Sequence, residues 1–263
     1  MAAPPTISRL ASDGSPYPER GVATFERDVR RMFAHLSARY QTFNHLASMG
    51  NDLLWRPLAL WELDRFRRTE VRRALDLGCG TGDFARAVAA RFPSSNVVAL
   101  DFTREMVRRA KDLTRNGRRA GRVDYGTGNA LRLPLPDGTF DLVTNAFVAR
   151  NLRDLPAAFR EMRRVLKPGG IAVTLEISEP VSPAFGRIFH AYFDRVVPMF
   201  GRAVANEGPS KYLPESLHGF PPREEVLRMM RSNGFPRSTA RTYSLGIATV
   251  FLGEAGSPSP QSR

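Results

Sequence analysis

Leu75-Asp76-Leu77-Gly78-Cys79-Gly80-Thr81-Gly82-Asp83 decides how this sequence is read. An apolar run ends in glycines at alternate positions, and a helix-like segment opens at Asp83. Glycines spaced this way let the backbone turn tightly and let a ligand approach it closely. A dinucleotide fingerprint would read G-x-G-x-x-G, with a small residue where the helix packs on the strand. Here the third glycine comes one position early, and Asp83 occupies the place of the small residue. A ligand without a pyrophosphate tolerates a carboxylate there better than a dinucleotide would.

On either side of this loop, apolar runs alternate with helical segments. Arg73–Leu77, Asn96–Leu100, Arg122–Gly126, Phe140–Ala146 and Ile171–Ile177 read as buried strands, with helices beginning near Asp83, Arg104 and Leu155. That alternation predicts an α/β fold with a doubly wound, mostly parallel sheet. Thr239–Tyr243 and Gly246–Phe251 are expected to add an antiparallel hairpin at one edge, making seven strands. Apolar residues at helical spacing from Thr24 to Arg68 predict a helical cap over residues 23–70, broken near Gly50. Residues 71–178 form the expected ligand-binding core. Residues 179–232, rich in aromatics and prolines, are an expected substrate-cover insertion. The proline- and serine-bearing ends, 1–22 and 254–263, read as disordered tails.

The strand tips carry candidate binding residues. Asp101 ends the second strand, 19 residues after Gly82. An acid at that spacing accepts hydrogen bonds from ribose hydroxyls. Phe102 and Met106 follow it and can pack against an adenine; Asn129 and Ala130, after the third strand, can read the adenine edge. Ala146 ends the fourth strand, which is expected beside the first.

Taken together, these elements resemble the class I S-adenosylmethionine-dependent methyltransferases. The resemblance implies that the loop with Asp76, Gly78, Gly80, Thr81 and Gly82 cups the amino acid part of the cofactor and that Asp101 holds its ribose. A dinucleotide-dependent oxidoreductase on the same sheet is the competing reading. The resemblance narrows further. Arg39–Asn44 resembles a "KYDxMN" segment, Leu54-Trp55-Arg56 an "LWR" element, and Phe147–Asp154 an "FGxRNxxD" segment. Arg164–Gly170 with Leu175–Pro180 matches "RVLKPGG…LEFSxP", and Lys211–Leu217 with Phe220-Pro221 matches "YxYLxESIxxFP". These mark the menaquinone and ubiquinone biosynthesis C-methyltransferases, over about Val29 to Phe251. Departures stand at Gln41, Phe43, Val148-Ala149 and Ala146, and in the segment Ala205–Pro209.

Within that family the implied reaction is C-methylation of demethylmenaquinol, with S-adenosyl-L-methionine as cofactor and an isoprenoid quinol as partner. Such chemistry needs a phenolate-stabilising group and positioned acceptor contacts. Arg150 is the first candidate, a fixed cation near the end of the fourth strand, with pairing to Asp154 as its plain structural alternative. Asn151 can hold a second ring oxygen, and Tyr40 and Tyr212 can stack on the quinol or hydrogen-bond to it. His190 is a further proton acceptor candidate, though its aromatic neighbours suit simple packing. Another small phenolic or quinol acceptor, including one of the ubiquinone pathway, is the alternative, and a nucleic-acid methyltransferase ranks behind it.

Composition bounds these readings. The 263 residues carry a net charge of +13, and 36 of the 39 basic residues are arginine. A basic balance suits nucleic acid, an acidic membrane surface or a charged small molecule. The residues after the fourth strand read Asn145-Ala146-Phe147-Val148 rather than an NPPY-type tetrapeptide, so no nucleic-acid partner is expected. Eight cations and two acids between Arg104 and Arg122, and the aromatics of Phe185–Phe200, raise peripheral contact with an anionic membrane. No transmembrane span or secretory signal is read, which points to the cytoplasm or the inner membrane face. The single cysteine, Cys79, and four scattered histidines give no metal-ligand spacing, so no metal is expected. The oligomeric state stays open, a homodimer included.

Overall fold

The computed structural model describes residues 27, 29–34, 37, 39–68, 70–115, 123–180, 182–199, 216–217 and 219–257. Its seven strands are β1 (Arg73–Leu77), β2 (Asn96–Asp101), β3 (Val123–Thr127), β4 (Phe140–Ala146), β5 (Leu166–Ile177), β6 (Arg237–Tyr243) and β7 (Ala248–Glu254). They form one sheet in the order β3-β2-β1-β4-β5-β7-β6. β7 runs antiparallel to both β5 and β6, and the other pairings are parallel. The hairpin therefore closes one edge as expected, with β6 outermost.

The central strands are apolar on both faces because both are covered. On one face α2 (Asp52–Phe66) and α3 (Asp83–Arg91) pack Trp55, Leu63, Phe84 and Val88 against Leu142 and Val250. On the other, α5 (Leu155–Val165) and α7 (Arg223–Ser232) pack Phe159, Met162, Val226 and Met230 against Phe235 and Phe251. α4 (Arg104–Arg115) covers β2 and β3. A smaller cluster of Phe43, Phe189, Phe193, Val197 and Leu217 joins α1 (Tyr40–Ala47) to α6 (Pro183–Ala191) and the π-helical turn after it. The break expected near Gly50 lies between α1 and α2, where Met49 and Gly50 both take positive φ.

Three expectations about boundaries change. Residues 179–232 are not all cover, because α7 buries Val226, Leu227 and Met230 in the main core. β5 begins at Leu166 rather than Ile171, since Leu166 pairs with Phe140 of β4 and Gly169, in the turn that follows, donates its N–H to the Ala255 carbonyl. For the same reason the fold does not stop at residue 253: Glu254 ends β7, and Ala255, 2% exposed, donates to the Gly170 carbonyl. Residues 1–26 and 258–263, which hold most of the expected tails, lie outside the described residues. Because β2 and β4 flank β1 on opposite sides, the strand order reverses at β1, and a crevice opens beyond the strand C-termini.

Candidate active site

The turn between β1 and α3 is built by glycines that no other residue replaces easily. Gly78 and Gly82 have φ of 61° and 83°, in the left-handed region. A Cβ on Gly78 would lie 2.4 Å from Val148 Cγ2, and one on Gly82 would lie 2.5 Å from the Tyr125 hydroxyl oxygen. Gly78→Ala therefore combines backbone strain with a clash against a β-branched, rotationally stiff side chain. It should lower stability by about 1–3 kcal/mol, with partial recovery in Gly78→Ala/Val148→Gly, read by thermal denaturation of both variants.

Asp101 ties this turn to the tip of β2. Its Oδ2 accepts from the Gly80 N–H at 2.8 Å, and its Oδ1 accepts from the Thr103 N–H at 2.8 Å. Burial raises its pKa above the ordinary carboxylate value, and those two N–H groups pull it back. Asp83, at the start of α3, accepts from Thr81 Oγ1 at 2.8 Å and pairs with Arg86. Gln41, on α1, also donates to Asp83 at 2.8 Å, so the cap is latched to the turn it covers.

A cavity opens above the turn. Of the expected binding residues, Gly78, Gly80, Asp101, Phe102, Met106, Asn129 and Ala130 line it. Asp76, Thr81 and Gly82 are not on its wall and shape the turn from behind. Ala146 is also off the wall and packs against the core. Val29, Phe33, Thr103, Leu131, Phe147, Val148, Leu152 and Arg153 also line the cavity. Tyr40 and Asn151 line it too, and Tyr40 meets Phe33 edge-on at 5.9 Å. Burial raises the Tyr40 pKa, so its hydroxyl is a donor at neutral pH. Phe147, with φ of 61°, is held between Trp55 at 6.1 Å and the Arg56 guanidinium at 5.3 Å.

Arg150 is not among the residues that line the cavity. It is 9% exposed, stands behind the cavity wall, and pairs through Nη1 with Glu176, which is fully buried. Glu176 also accepts from the Arg150 backbone N–H at 3.1 Å and the Ile177 N–H at 2.8 Å. The i,i+4 alternative does not form, because Asp154 caps α5 by accepting from the Ala157 N–H at 2.8 Å. His190 sits edge-on to Phe189 at 5.7 Å. Tyr212 and the 205–209 segment lie outside the described residues. Burial pushes the Cys79 thiol well up, which keeps it protonated. Among the described residues no group of three or more His, Cys, Asp or Glu is placed to hold a metal.

Asp76 is 1% exposed and accepts from Thr144 Oγ1 at 2.7 Å through Oδ1. Its Oδ2 is buried with no hydrogen-bond partner. Burial, opposed by the Thr144 hydrogen bond, raises its pKa to about 7. A carboxyl raised in the folded state stabilises the fold fully below its unfolded pKa of 3.8, and that contribution is lost as pH rises toward 7. Asp76→Asn should therefore flatten the fall in melting temperature between pH 4 and 7 by a contribution on the order of 3–4 kcal/mol. Parallel pH series on the two proteins without ligand read that difference, and identical slopes would refute it.

The ubiE/COQ5 methyltransferase family model matches residues 22–254. The protein belongs to that family. It is 42% identical to the "Ubiquinone/menaquinone biosynthesis C-methyltransferase UbiE" of Geobacter sulfurreducens, over 87% of this sequence and 88% of that protein. It is 41% identical to the demethylmenaquinone methyltransferase of Deinococcus radiodurans, over 86% and 92% of the two sequences. A SAM-dependent methyltransferase of known structure from Thermotoga maritima shares the fold, with a TM-score of 0.61, 19% identity, and coverage of 86% and 99%. This methyltransferase uses S-adenosylmethionine, and the cavity suits it. Asp101 keeps acceptor capacity beyond its two backbone partners. Leu100, Phe102, Met106 and Leu131 offer apolar walls for a flat ring. Asn129 accepts from the Leu131 N–H at 2.9 Å through Oδ1, which leaves its NH2 to donate.

Proposed function

We propose that this protein methylates a ring carbon of demethylmenaquinol to give menaquinol. The observation that carries this reading is the 41% identity, along nearly the whole folded protein, to a demethylmenaquinone methyltransferase. When bound, S-adenosylmethionine supplies an electrophilic methyl group on a sulfonium. The protein's part is to bind the acceptor ring, favour loss of a ring hydroxyl proton and keep water out. A ring carbon next to that hydroxyl gains nucleophilicity as the proton leaves. Phe33, Phe147 and Val148 supply apolar cover for the ring, and Tyr40 and Asn151 supply polar contacts on the same cavity. Arg153, also on the wall, is a cation placed to favour the phenolate, with Arg150 set behind it. Tyr212, from its sequence context, is a further proposed acceptor contact. A benzoquinol of the ubiquinone pathway is the second reading, favoured by the double name of the Geobacter relative.

Label transfer from S-adenosylmethionine to chemically reduced demethylmenaquinone, with the oxidised quinone as control, tests the reading. Label on the reduced form alone is the expected result, and label on neither would overturn it. Tyr40→Phe is expected to lower turnover about tenfold, the loss of one hydrogen bond of about 1–1.5 kcal/mol. Cofactor affinity, measured by calorimetry, should stay unchanged; a matching fall there would move Tyr40 to the cofactor side.

An acceptor with a long isoprenoid tail resides in a bilayer, so we extend the reading to peripheral membrane contact. Among the described residues no helix is long and apolar enough to cross a membrane. A homodimer belongs to the same proposal only as an alternative use of exposed apolar surface.

A further inference from the structure

All eight exposed large hydrophobic residues among the described residues lie on one set of elements: α1, α2 and the turn between them, the stretch from α6 to residue 199, and the β6–β7 turn. None lies on α3, α4, α5 or α7. The elements that carry them touch one another. Trp55 Nε1 on α2 donates to Ser244 Oγ on the β6–β7 turn at 2.9 Å. The Tyr192 hydroxyl, after α6, donates to the Leu46 carbonyl at 3.2 Å. Phe185 and Leu245 line one shallow groove. Met49, Leu53, Leu54 and Leu245 are 60–69% exposed on this surface, and Ile188 is 67% exposed.

The β6–β7 turn shows that the exposure is built rather than incidental. Ser244 and Leu245 have successive φ of 52° and 58°. Two consecutive non-glycine residues in the left-handed region are strained. A glycine would relieve the strain at position 245, yet a leucine stands there with its side chain in water.

Among the described residues, the charge around this surface is one-sided. Asp52 is buried against His45 and Arg56, Glu62 accepts from the Tyr243 hydroxyl, and Asp64 pairs with Arg67 and Arg91. Arg39, Arg65, Arg187, Arg195 and Arg241 are exposed there, against Glu179 and Asp194. Two copies joined through this face by a two-fold axis would set like charges against each other. An anionic bilayer supplies the opposite charge for the arginines and an apolar phase for the leucines.

We propose that this face of the cap, centred on Leu54 and Leu245, docks on an anionic phospholipid bilayer. The inference rests on the quinol reading for its purpose, since α1 carries Tyr40 on the cavity wall and Leu46 on the exposed face. The docking orients the cap, and the acceptor chamber beneath it, toward the phase that holds an isoprenoid tail.

The test is co-sedimentation of the full-length protein with vesicles of phosphatidylcholine alone and of phosphatidylcholine with phosphatidylglycerol, without any acceptor. Wild-type protein should sediment with the anionic vesicles and far less with the neutral ones. Leu54→Asp and Leu245→Asp should each weaken vesicle partitioning about tenfold, and the uncharged Leu245→Gln nearly as much, as expected for a leucine withdrawn from the interface. Both positions are exposed, and an acid at residue 54 lies in the first turn of α2, so melting temperatures should hold. Methylation of a short-tailed, water-soluble demethylmenaquinol should be unchanged in these variants. Vesicle binding that all three variants retain would overturn the proposal. So would a fall in sedimentation coefficient in the variants without loss of vesicle binding, which would assign the face to a second copy. Failure of the quinol reading would appear separately, as absent methylation of the short-tailed acceptor by the wild-type protein.

Discussion

Asp101→Ala should weaken S-adenosylmethionine binding by roughly 10²–10³-fold, about 2.7–4 kcal/mol. Two losses combine. Hydrogen bonds from ligand hydroxyls to an ionised carboxylate are worth about 1.5–3 kcal/mol. The carboxylate also holds the Gly80 and Thr103 N–H groups, each at 2.8 Å, and so fixes the turn that faces the ligand. Removing it frees the turn and leaves two backbone donors seeking water. Asp101→Asn separates the two effects. Its single carbonyl oxygen can keep one of the N–H partners, while its NH2 opposes the other, so the turn is partly held and the charge is gone. Calorimetry with S-adenosylhomocysteine, alongside thermal denaturation of the ligand-free variants, reads both. If affinity is unchanged while stability falls, Asp101 is a tether for the turn and the ribose lies elsewhere.

Most of the fold is readable because parallel strands buried on both faces are near-continuous apolar runs. The starts of α3, α4 and α5 at Asp83, Arg104 and Leu155 coincide with those expected. Strand ends move by one to five residues where pairing partners far along the sequence decide them. Leu166 joins β5 because it pairs with Phe140 of β4, and Ala255 receives the turn that follows through the Gly169 N–H. α7 falls within the expected cover although Val226, Leu227 and Met230 carry helical spacing. The aromatic- and proline-rich residues before it suggest irregular backbone, and nothing local shows that Phe235 and Phe251 wait beneath.

The site is legible where backbone geometry makes the chemistry and less so where side chains meet across the fold. The glycine turn, Asp101 and Asn129 stand at strand tips, and topology alone brings them to one cavity. Val29 and Phe33 reach it from a helical stretch whose packing no periodicity specifies. Glu176 escapes the sequence reading, yet a signal exists. It is the one acid inside the apolar run Ile171–Ile177, and a charge buried in a strand requires a partner. Asp154, the acid nearest Arg150 in sequence, is the misleading partner. It is committed to the first turn of α5, a role its place before Leu155-Pro156 announces.

Arg150→Ala should therefore cost about 3–5 kcal/mol of stability, on the order of 10 °C in melting temperature for a protein of this length. Glu176, fully buried, would lose the cation that pairs with it. That is a large part of a typical total of about 5–15 kcal/mol, so a fall in activity in this variant alone says little about catalysis. The paired substitution resolves it. Arg150→Met/Glu176→Met replaces both charges with apolar side chains of similar length, and such replacements are often neutral. It leaves one cost, because Glu176 also accepts from two backbone N–H groups. The double variant should recover most of the stability lost in Arg150→Ala. Turnover then decides the role. If it recovers with stability, the pair is a brace that holds the end of β4 against β5, and the phenolate falls to Arg153 on the cavity wall. If stability returns while turnover stays at least tenfold down and cofactor affinity is intact, the field of Arg150 reaches the acceptor from behind the wall. Arg150 would then be a positioning residue for the reaction as well as part of the brace.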